Sequence, residues 1–173
     1  MLIAMAGLPG SGKSTIADVL GERLGATVVS VDPIESAILS AGIDNDQPTG
    51  LAAYLVAEKI AEFIIHSGQS AIVDAVNAVD AAREQWVALA RRRGEALRFI
   101  EVICSDPELH KQRLAARNRV LPYFVEPSWH AVEQSLDEYS PWAGESAAVA
   151  RITLDSVQPL TANVDAALTF LER

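Results

Sequence analysis

Gly7, Gly12, Lys13 and Ser14 stand in the run Gly7-Leu8-Pro9-Gly10-Ser11-Gly12-Lys13-Ser14-Thr15, which fits the pattern GxxxxGK[ST]. Glycines at 7, 10 and 12 let successive backbone N–H groups turn toward one point, and a helix opening at Ser14-Thr15-Ile16 adds the partial positive charge of its N-terminus. Such a ring of amides, from Gly10 and Ser11 through Thr15, attracts an anion. Lys13 is then placed to reach the β- and γ-phosphates of a nucleoside triphosphate and offset charge as the γ-phosphoryl group transfers, while the Ser14 hydroxyl ligates magnesium. An ordinary glycine-rich turn with a solvated lysine is the plainer reading. The apolar strand before the run and the helix after it weigh against that.

Two acids end apolar runs. Asp32 closes Val29-Ser30-Val31, and parallel sheets gather ligand groups at the carboxyl ends of their strands. A carboxylate there can take the proton of a substrate hydroxyl as its oxygen attacks the γ-phosphorus, or hold a magnesium-bound water. The structural alternative is a capping box, with Asp32 as N-cap, Pro33 at the first helical position and Glu35 at the third. Both roles can coexist, and Glu35 is also a substrate-binding candidate. Asp74 follows Ala71-Ile72-Val73 and precedes Asn77. Asp74 is a candidate for magnesium, and both residues for substrate; a surface acid or helix cap is the alternative for Asp74.

Arg113 and Arg117 lie four apart on one predicted helix, and neither has an acid three or four residues away. They repel each other unless an anion joins them. With Arg119 they could close over a triphosphate, one stacking on adenine and another contacting the transferring group; a solvated arginine face is the alternative. Arg91-Arg92-Arg93 ends a helix before Gly94, where cations offset the helix dipole, and reads as structural. His66, His110 and His130 lack metal-ligand spacing and read as surface or packing residues.

To position these groups the chain supplies short apolar runs at Leu2–Ala6, Thr27–Val31, Ala71–Asp74, Leu97–Cys104 and Ala150–Leu154, alternating with amphipathic stretches. This alternation predicts an α/β fold with a parallel sheet covered by helices. Ile16, Leu20 and Leu24 mark one helical stripe; Ala82, Trp86, Leu89 and Ala90 mark another, with Trp86 expected in the core. Ser105-Asp106-Pro107-Glu108 has capping-box spacing before a helix running to about Arg117. The aperiodic, proline-bounded stretch from about 117 to 127 is expected to be a mobile lid. A helix over Leu51 to Ile65 and the segment Trp129 to Trp142 are expected to wall a substrate cavity.

The 173 residues, half of them apolar, suffice for one domain spanning 1–173. A net charge of −9 disfavours nucleic acid and anionic membrane surfaces as partners. Cys104, the only cysteine, lies in an apolar run; a buried thiol and a reducing, cytoplasmic setting are expected. Met1–Ala6 lacks a basic leader and reads as a core strand rather than a signal peptide.

The chain resembles the compact P-loop kinases grouped with AAA-type ATPases, in the branch of polynucleotide kinases, antibiotic phosphotransferases and zeta-toxin-like kinases. The resemblance rests on Gly7 to Thr15, the strand ending in Asp32, Ile72 to Asn77, Arg113 to Arg117, and Pro127-Ser128-Trp129 through Tyr139-Ser140-Pro141-Trp142. It implies a three-layer α/β/α fold with sheet order 2-3-1-4-5, Asp32 as base, and Arg113 and Arg117 on adenine and phosphates. It also implies adenine near Ser156 to Pro159, with ATP and magnesium as cofactors. Polynucleotide kinases carry an arginine three residues after the base, where this chain has Glu35; a neutral or cationic polyhydroxy acceptor, such as a nucleoside-type or amino-sugar antibiotic, suits that acid better. The expected protein is an ATP-dependent kinase acting as monomer or homodimer on a small-molecule hydroxyl. A metabolite, sugar-nucleotide or polynucleotide 5'-kinase, or an ATP-hydrolysing switch, are the alternatives.

Overall fold

A computed structural model describes residues 1–172, apart from the side chains of Asp137 and Glu138. Its strands are β1 (Leu2–Ala6), β2 (Thr27–Ser30), β3 (Ala71–Asp74), β4 (Leu97–Ile103) and β5 (Arg151–Asp155). All pair in parallel, in the order β2-β3-β1-β4-β5. The helices are α1 (Lys13–Leu24), α2 (Val31–Ser40), α3 (Thr49–His66), α4 (Asp80–Arg93), α5 (Pro107–Ala115), α6 (Trp129–Glu138) and α7 (Leu160–Leu171). The result is the three-layer α/β/α architecture.

Every residue of β1 is buried, because this central strand is covered on both faces. Alternate residues separate to the two sides. Leu2, Ala4, Ala71, Val73 and Phe99 pack under α3 and α4, where Ala53, Ala57, Ala61 and Ile65 repeat every four residues and Trp86 is wholly buried. Ile3, Met5, Ile72, Ile100 and Val102 pack under α1 and α7, against Ile16, Leu20, Val164 and Leu171. Removing Trp86 to alanine would cost about 3–5 kcal/mol by its lost burial and the cavity left behind.

Several local expectations shift. Val31 is the first residue of α2, so β2 ends at Ser30 and Asp32 sits in the first helical turn. Ser30 occupies the cap position and makes no side-chain capping bond, so the predicted capping box does not form. Ahead of α5 the cap is Asp106, whose carboxylate accepts from Glu108 and Leu109 N–H with Pro107 inside the first turn, and the helix stops at Ala115. Leu24 is 41% exposed, since α1 is ending as it leaves the sheet. Cys104 is half-buried rather than buried, because it follows the last residue of β4. Among the described residues, no helix is long and apolar enough to cross a membrane.

Candidate active site

β1 delivers the chain into the loop 7–12, and α1 begins at Lys13. Gly7 has φ 139° and a Cβ there would collide with the Val102 carbonyl; Gly12, with φ 95°, is the left-handed cap of α1. The first turn of α1 carries no acid. Its opening N–H groups have no intrahelical acceptors and turn toward a cleft of about 600 Å³ lined by Gly10, Gly12, Lys13, Ser14 and Thr15. Beneath the loop, His110 Nε2 lies 2.8 Å from the Pro9 carbonyl oxygen and its ring meets Trp129 edge-on. His110 is thus a packing residue, as expected.

Lys13 is 4% exposed, and its Nζ stands 4.0 Å from Asp74 Oδ1. Asp74 ends β3 in register with Ser30, whose hydroxyl donates to Asp74 Oδ2 at 3.2 Å. Asp74 Oδ1 is buried with no hydrogen-bond partner among the described residues. A buried acceptor without a donor is costly unless a ligand satisfies it, and an orphaned carboxylate oxygen beside a phosphate cradle fits magnesium or its water. Ser14 lines the same cleft, so the donor set matches a magnesium–nucleotide. Two predicted cradle residues differ: Ser11 is 1% exposed and its N–H donates to the Leu8 carbonyl at 3.1 Å, the Gly7 N–H donates to the Val76 carbonyl at 3.0 Å, and neither residue lines the cleft, so both shape the loop rather than present amides to a phosphate.

On the opposite wall Arg113 donates from Nη1 to Ser156 Oγ at 2.7 Å and from Nη2 to the Ser156 carbonyl at 3.0 Å. Ser156 and Gln158, in the loop expected near adenine, line the cleft with it. Arg117 and Arg119 also line it, but both are held by acids. Arg119 donates from Nη1 to Asp32 Oδ2 at 2.8 Å and from Nε to Glu126 Oε1 at 2.6 Å; Arg117 donates from Nη1 to Glu126 Oε2 at 3.0 Å. Burial, and then the neighbouring Arg119 guanidinium, lower the Arg117 pKa. For Arg119 burial again pulls downward, but hydrogen bonds to Glu126 and Asp32 outweigh it and raise the pKa.

Two expected substrate residues lie elsewhere. Glu35 accepts from Thr49 Oγ1 at 2.8 Å, tying α2 to the start of α3. Asn77 is fully buried: Nδ2 donates to the Met5 carbonyl at 2.6 Å, and Oδ1 accepts from Trp86 Nε1 at 2.9 Å. With φ 48° and both amide ends spent, its side chain braces the strand that feeds the phosphate loop rather than reaching the cleft. The expected substrate wall, the helix over Leu51 to Ile65 with the segment Trp129 to Trp142, contributes no described residue to the lining of this cleft. Trp142 meets Phe99 edge-on at 4.9 Å, and α6 packs through Val132 against Leu8 and Leu114.

Comparison with known proteins places this geometry. The family model described as "AAA domain" matches residues 2–141. The chain belongs to this AAA-domain family. Among solved structures, similar folds include a candidate kinase from Chloroflexus aurantiacus J-10-fl, 20% identical, covering 99% of this chain and 95% of that one at TM-score 0.74. A gluconokinase from Sinorhizobium meliloti 1021 is 20% identical over 99% of this chain and 91% of its own, at TM-score 0.70. Kti12 from Chaetomium thermophilum, in complex with ADP-AlF3, is 16% identical over 98% of both chains, at TM-score 0.69. No curated protein matches the chain.

Sequence reasoning missed several residues of this AAA-domain site. Asp18 lines the cleft one turn after Ser14, its pKa raised by burial and then by Asp74 and Glu22; the i, i+4 spacing from Ser14 was the available signal. Glu126 was hidden in the aperiodic stretch from about 117 to 127. Tyr54, whose hydroxyl accepts from the Asn77 N–H at 3.1 Å, looked like one more apolar position of α3. Arg83, fully buried, donates to the Asn77, Ala78 and Ser140 carbonyls and lies 4.2 Å from the Trp142 ring centre. Nothing in its helical spacing distinguishes it from a surface arginine.

Proposed function

We propose that this chain is an ATP-dependent phosphotransferase that moves the γ-phosphate to a hydroxyl of a small molecule, working in the cytoplasm as monomer or homodimer. The observation that carries the reading is one cleft in which the glycine cradle and Lys13 face the orphaned Asp74 carboxylate, with Asp32 one arginine side chain behind the wall. The gluconokinase-like fold is consistent with it.

The main-chain amides and Lys13 hold the β- and γ-phosphates, while Arg113 fixes the loop at Ser156 beside the nucleotide. The acceptor oxygen bonds to the γ-phosphorus as the bond from that phosphorus to the β,γ-bridging oxygen breaks. Asp32 takes the acceptor's proton, and ADP leaves. Arg117 and Lys13 offset the charge gathering on the transferring group. Magnesium, held through Ser14 and Asp74, supplies further neutralisation of the phosphates when bound.

The acids on the acceptor side, Asp32 and Glu126, pair with Arg119 and Arg117 there, and the chain as a whole carries a net charge of −9. A neutral or cationic polyhydroxy acceptor therefore fits better than a phosphorylated one, and a nucleoside-type or amino-sugar antibiotic is the class we favour, making the enzyme a resistance or self-protection kinase. Incubating the protein with MgATP and pooled nucleosides, aminoglycosides, sugars, nucleotides and nucleic-acid ends, then reading phosphoryl mass gain, tests this. Lys13→Ala serves as the blank. Products confined to nucleotides or nucleic-acid ends would overturn the acceptor class.

A switch that hydrolyses ATP and binds a protein is the second reading. It is favoured by the exposed apolar face of α3, where Leu51, Leu55 and Phe63 are 60%, 53% and 72% accessible. ATP consumption independent of any alcohol would support it.

A further inference from the structure

The acceptor side of the cleft is closed by the protein's own charges. Asp32 and Glu126 together hold Arg117 and Arg119: beyond the three hydrogen bonds already described, Arg117 Nη2 lies 3.9 Å from Asp32 Oδ2. Both arginines line the cleft, whereas Asp32 does not. The lid is pinned at the same place, since Ser36, one turn beyond Asp32 on α2, donates its hydroxyl to the Pro122 carbonyl at 2.8 Å. Arg119 Nη2 remains buried without a partner among the described residues, and the Phe124 ring lies 5.6 Å from its guanidinium carbon. In this state an acceptor hydroxyl in the cleft meets the two guanidiniums at the wall, and the Asp32 carboxylate that Arg119 engages does not itself reach the cleft.

We propose that this cluster is an autoinhibitory latch: without nucleotide, Glu126 parks Arg117 and Arg119 against Asp32, and the triphosphate uncovers Asp32 by taking the two guanidiniums for itself. The proposal deepens the phosphotransferase reading and rests on it. A guanidinium fork matches phosphate oxygens as well as it matches a carboxylate, so each arginine has two competing partners on opposite sides. A ligand shifts such an equilibrium only through contacts that differ between the two states, and these arginines supply that difference. Two guanidiniums held close together, with one Nη2 lacking a partner, favour the exchange once phosphate oxygens arrive. The consequence is ordered addition: nucleotide first, acceptor second.

Carbodiimide-coupled amine labelling of Asp32, read by peptide mass spectrometry on the full chain, tests the latch. Wild-type protein should label slowly at Asp32, and several-fold faster with magnesium–AMPPNP bound. Arg119→Gln should label fast with or without the nucleotide. Glu126→Gln should bind AMPPNP about two- to five-fold tighter, the range expected when a half-exposed ion pair opposing the exchange is lost. The wild-type comparison stands even if a variant folds poorly. AMPPNP binding with Asp32 labelling unchanged or slowed would overturn the latch alone, as would folded Glu126→Gln binding AMPPNP no tighter. Failure of folded wild-type protein to bind AMPPNP at all would overturn the kinase reading and the latch with it.

Discussion

On the phosphate side of the cleft, Lys13 stands beyond hydrogen-bond reach of Asp74, and Asp74 Oδ1 has no donor among the described residues. On the acceptor side, Asp32 and Glu126 are engaged by Arg117 and Arg119 at 2.6–3.0 Å. The first half is built with groups waiting for a ligand, held open by a backbone that glycine alone adopts easily. The second half satisfies itself. Preorganised donors cost no rearrangement when charge arrives, whereas paired charges must first be separated. On the proposed kinase reading, rigidity lies where the nucleotide would bind and exchangeable ion pairs where the acceptor would enter.

Paired substitutions test that contrast most strongly. Lys13→Ala should lower kcat/KM at least about a thousand-fold, as expected when a preorganised charge on the transferring phosphoryl group is removed, and should weaken nucleotide binding as well. Asp32→Asn should instead leave nucleotide binding intact or slightly tighter, because the latch loses one acid, and should cost about a hundred-fold or more in kcat through lost proton acceptance. Calorimetry with AMPPNP beside steady-state kinetics separates the two patterns. Equal loss of nucleotide affinity in both variants would erase the distinction between the two sides.

The phosphate side was legible in the sequence and the acceptor side was not, for a physical reason. Gly7, Gly12, Lys13 and Ser14 act through contiguous backbone, so spacing alone carries their geometry. β1, β3 and their order in the sheet followed from apolar runs and family resemblance. Arg119 and Asp32 are 87 positions apart and meet through an irregular segment with no periodicity. Glu35 shows the same limit: its spacing from Asp32 suggested a local cap, but its partner is Thr49, on the next helix. Asn77 followed an acid at a strand end, which reads as a ligand site, yet the fold turns its amide inward to Met5 and Trp86.

Asn77 ties the strand that feeds the phosphate loop to Trp86 on α4 and Tyr54 on α3, and its loss should show how far the phosphate side depends on that brace. Asn77→Ala removes the donor to the Met5 carbonyl and the acceptor of Trp86 Nε1, and leaves alanine at positive φ. We expect about 2–3 kcal/mol of destabilisation from the stranded buried groups. For a chain of this size that lowers Tm by about 5–10 °C. Thermal melts with and without AMPPNP discriminate further: nucleotide should recover part of the loss, since the displaced phosphate loop is what it binds. An unchanged Tm would mean that Met5 and Trp86 find other partners and that the brace is dispensable.

The smallest effect concerns Tyr54, which holds the Asn77 N–H from the α3 side. Burial pushes its pKa up to about 12, with the Asn77 hydrogen bond pulling the other way and the Asp32 and Asp74 charges adding to the rise. A phenol ionises near 10 in the unfolded chain, so between pH 10 and 12 the folded protein binds more protons. Its contribution is therefore complete below pH 10 and is lost as pH climbs toward 12. Tyr54→Phe should cost about 1 kcal/mol at neutral pH, by depriving the Asn77 amide of its acceptor. At alkaline pH the variant escapes the ionisation penalty, and the gap to wild type should shrink by about 2 kcal/mol over that window, enough to reverse its sign. Urea unfolding at pH 7, 10 and 11.5 measures this difference, from which the titration of the other tyrosines cancels. Parallel stability curves for the two proteins would mean that the hydroxyl ionises in the folded protein as it does in the unfolded chain, and that α3 does not bury it against Asn77.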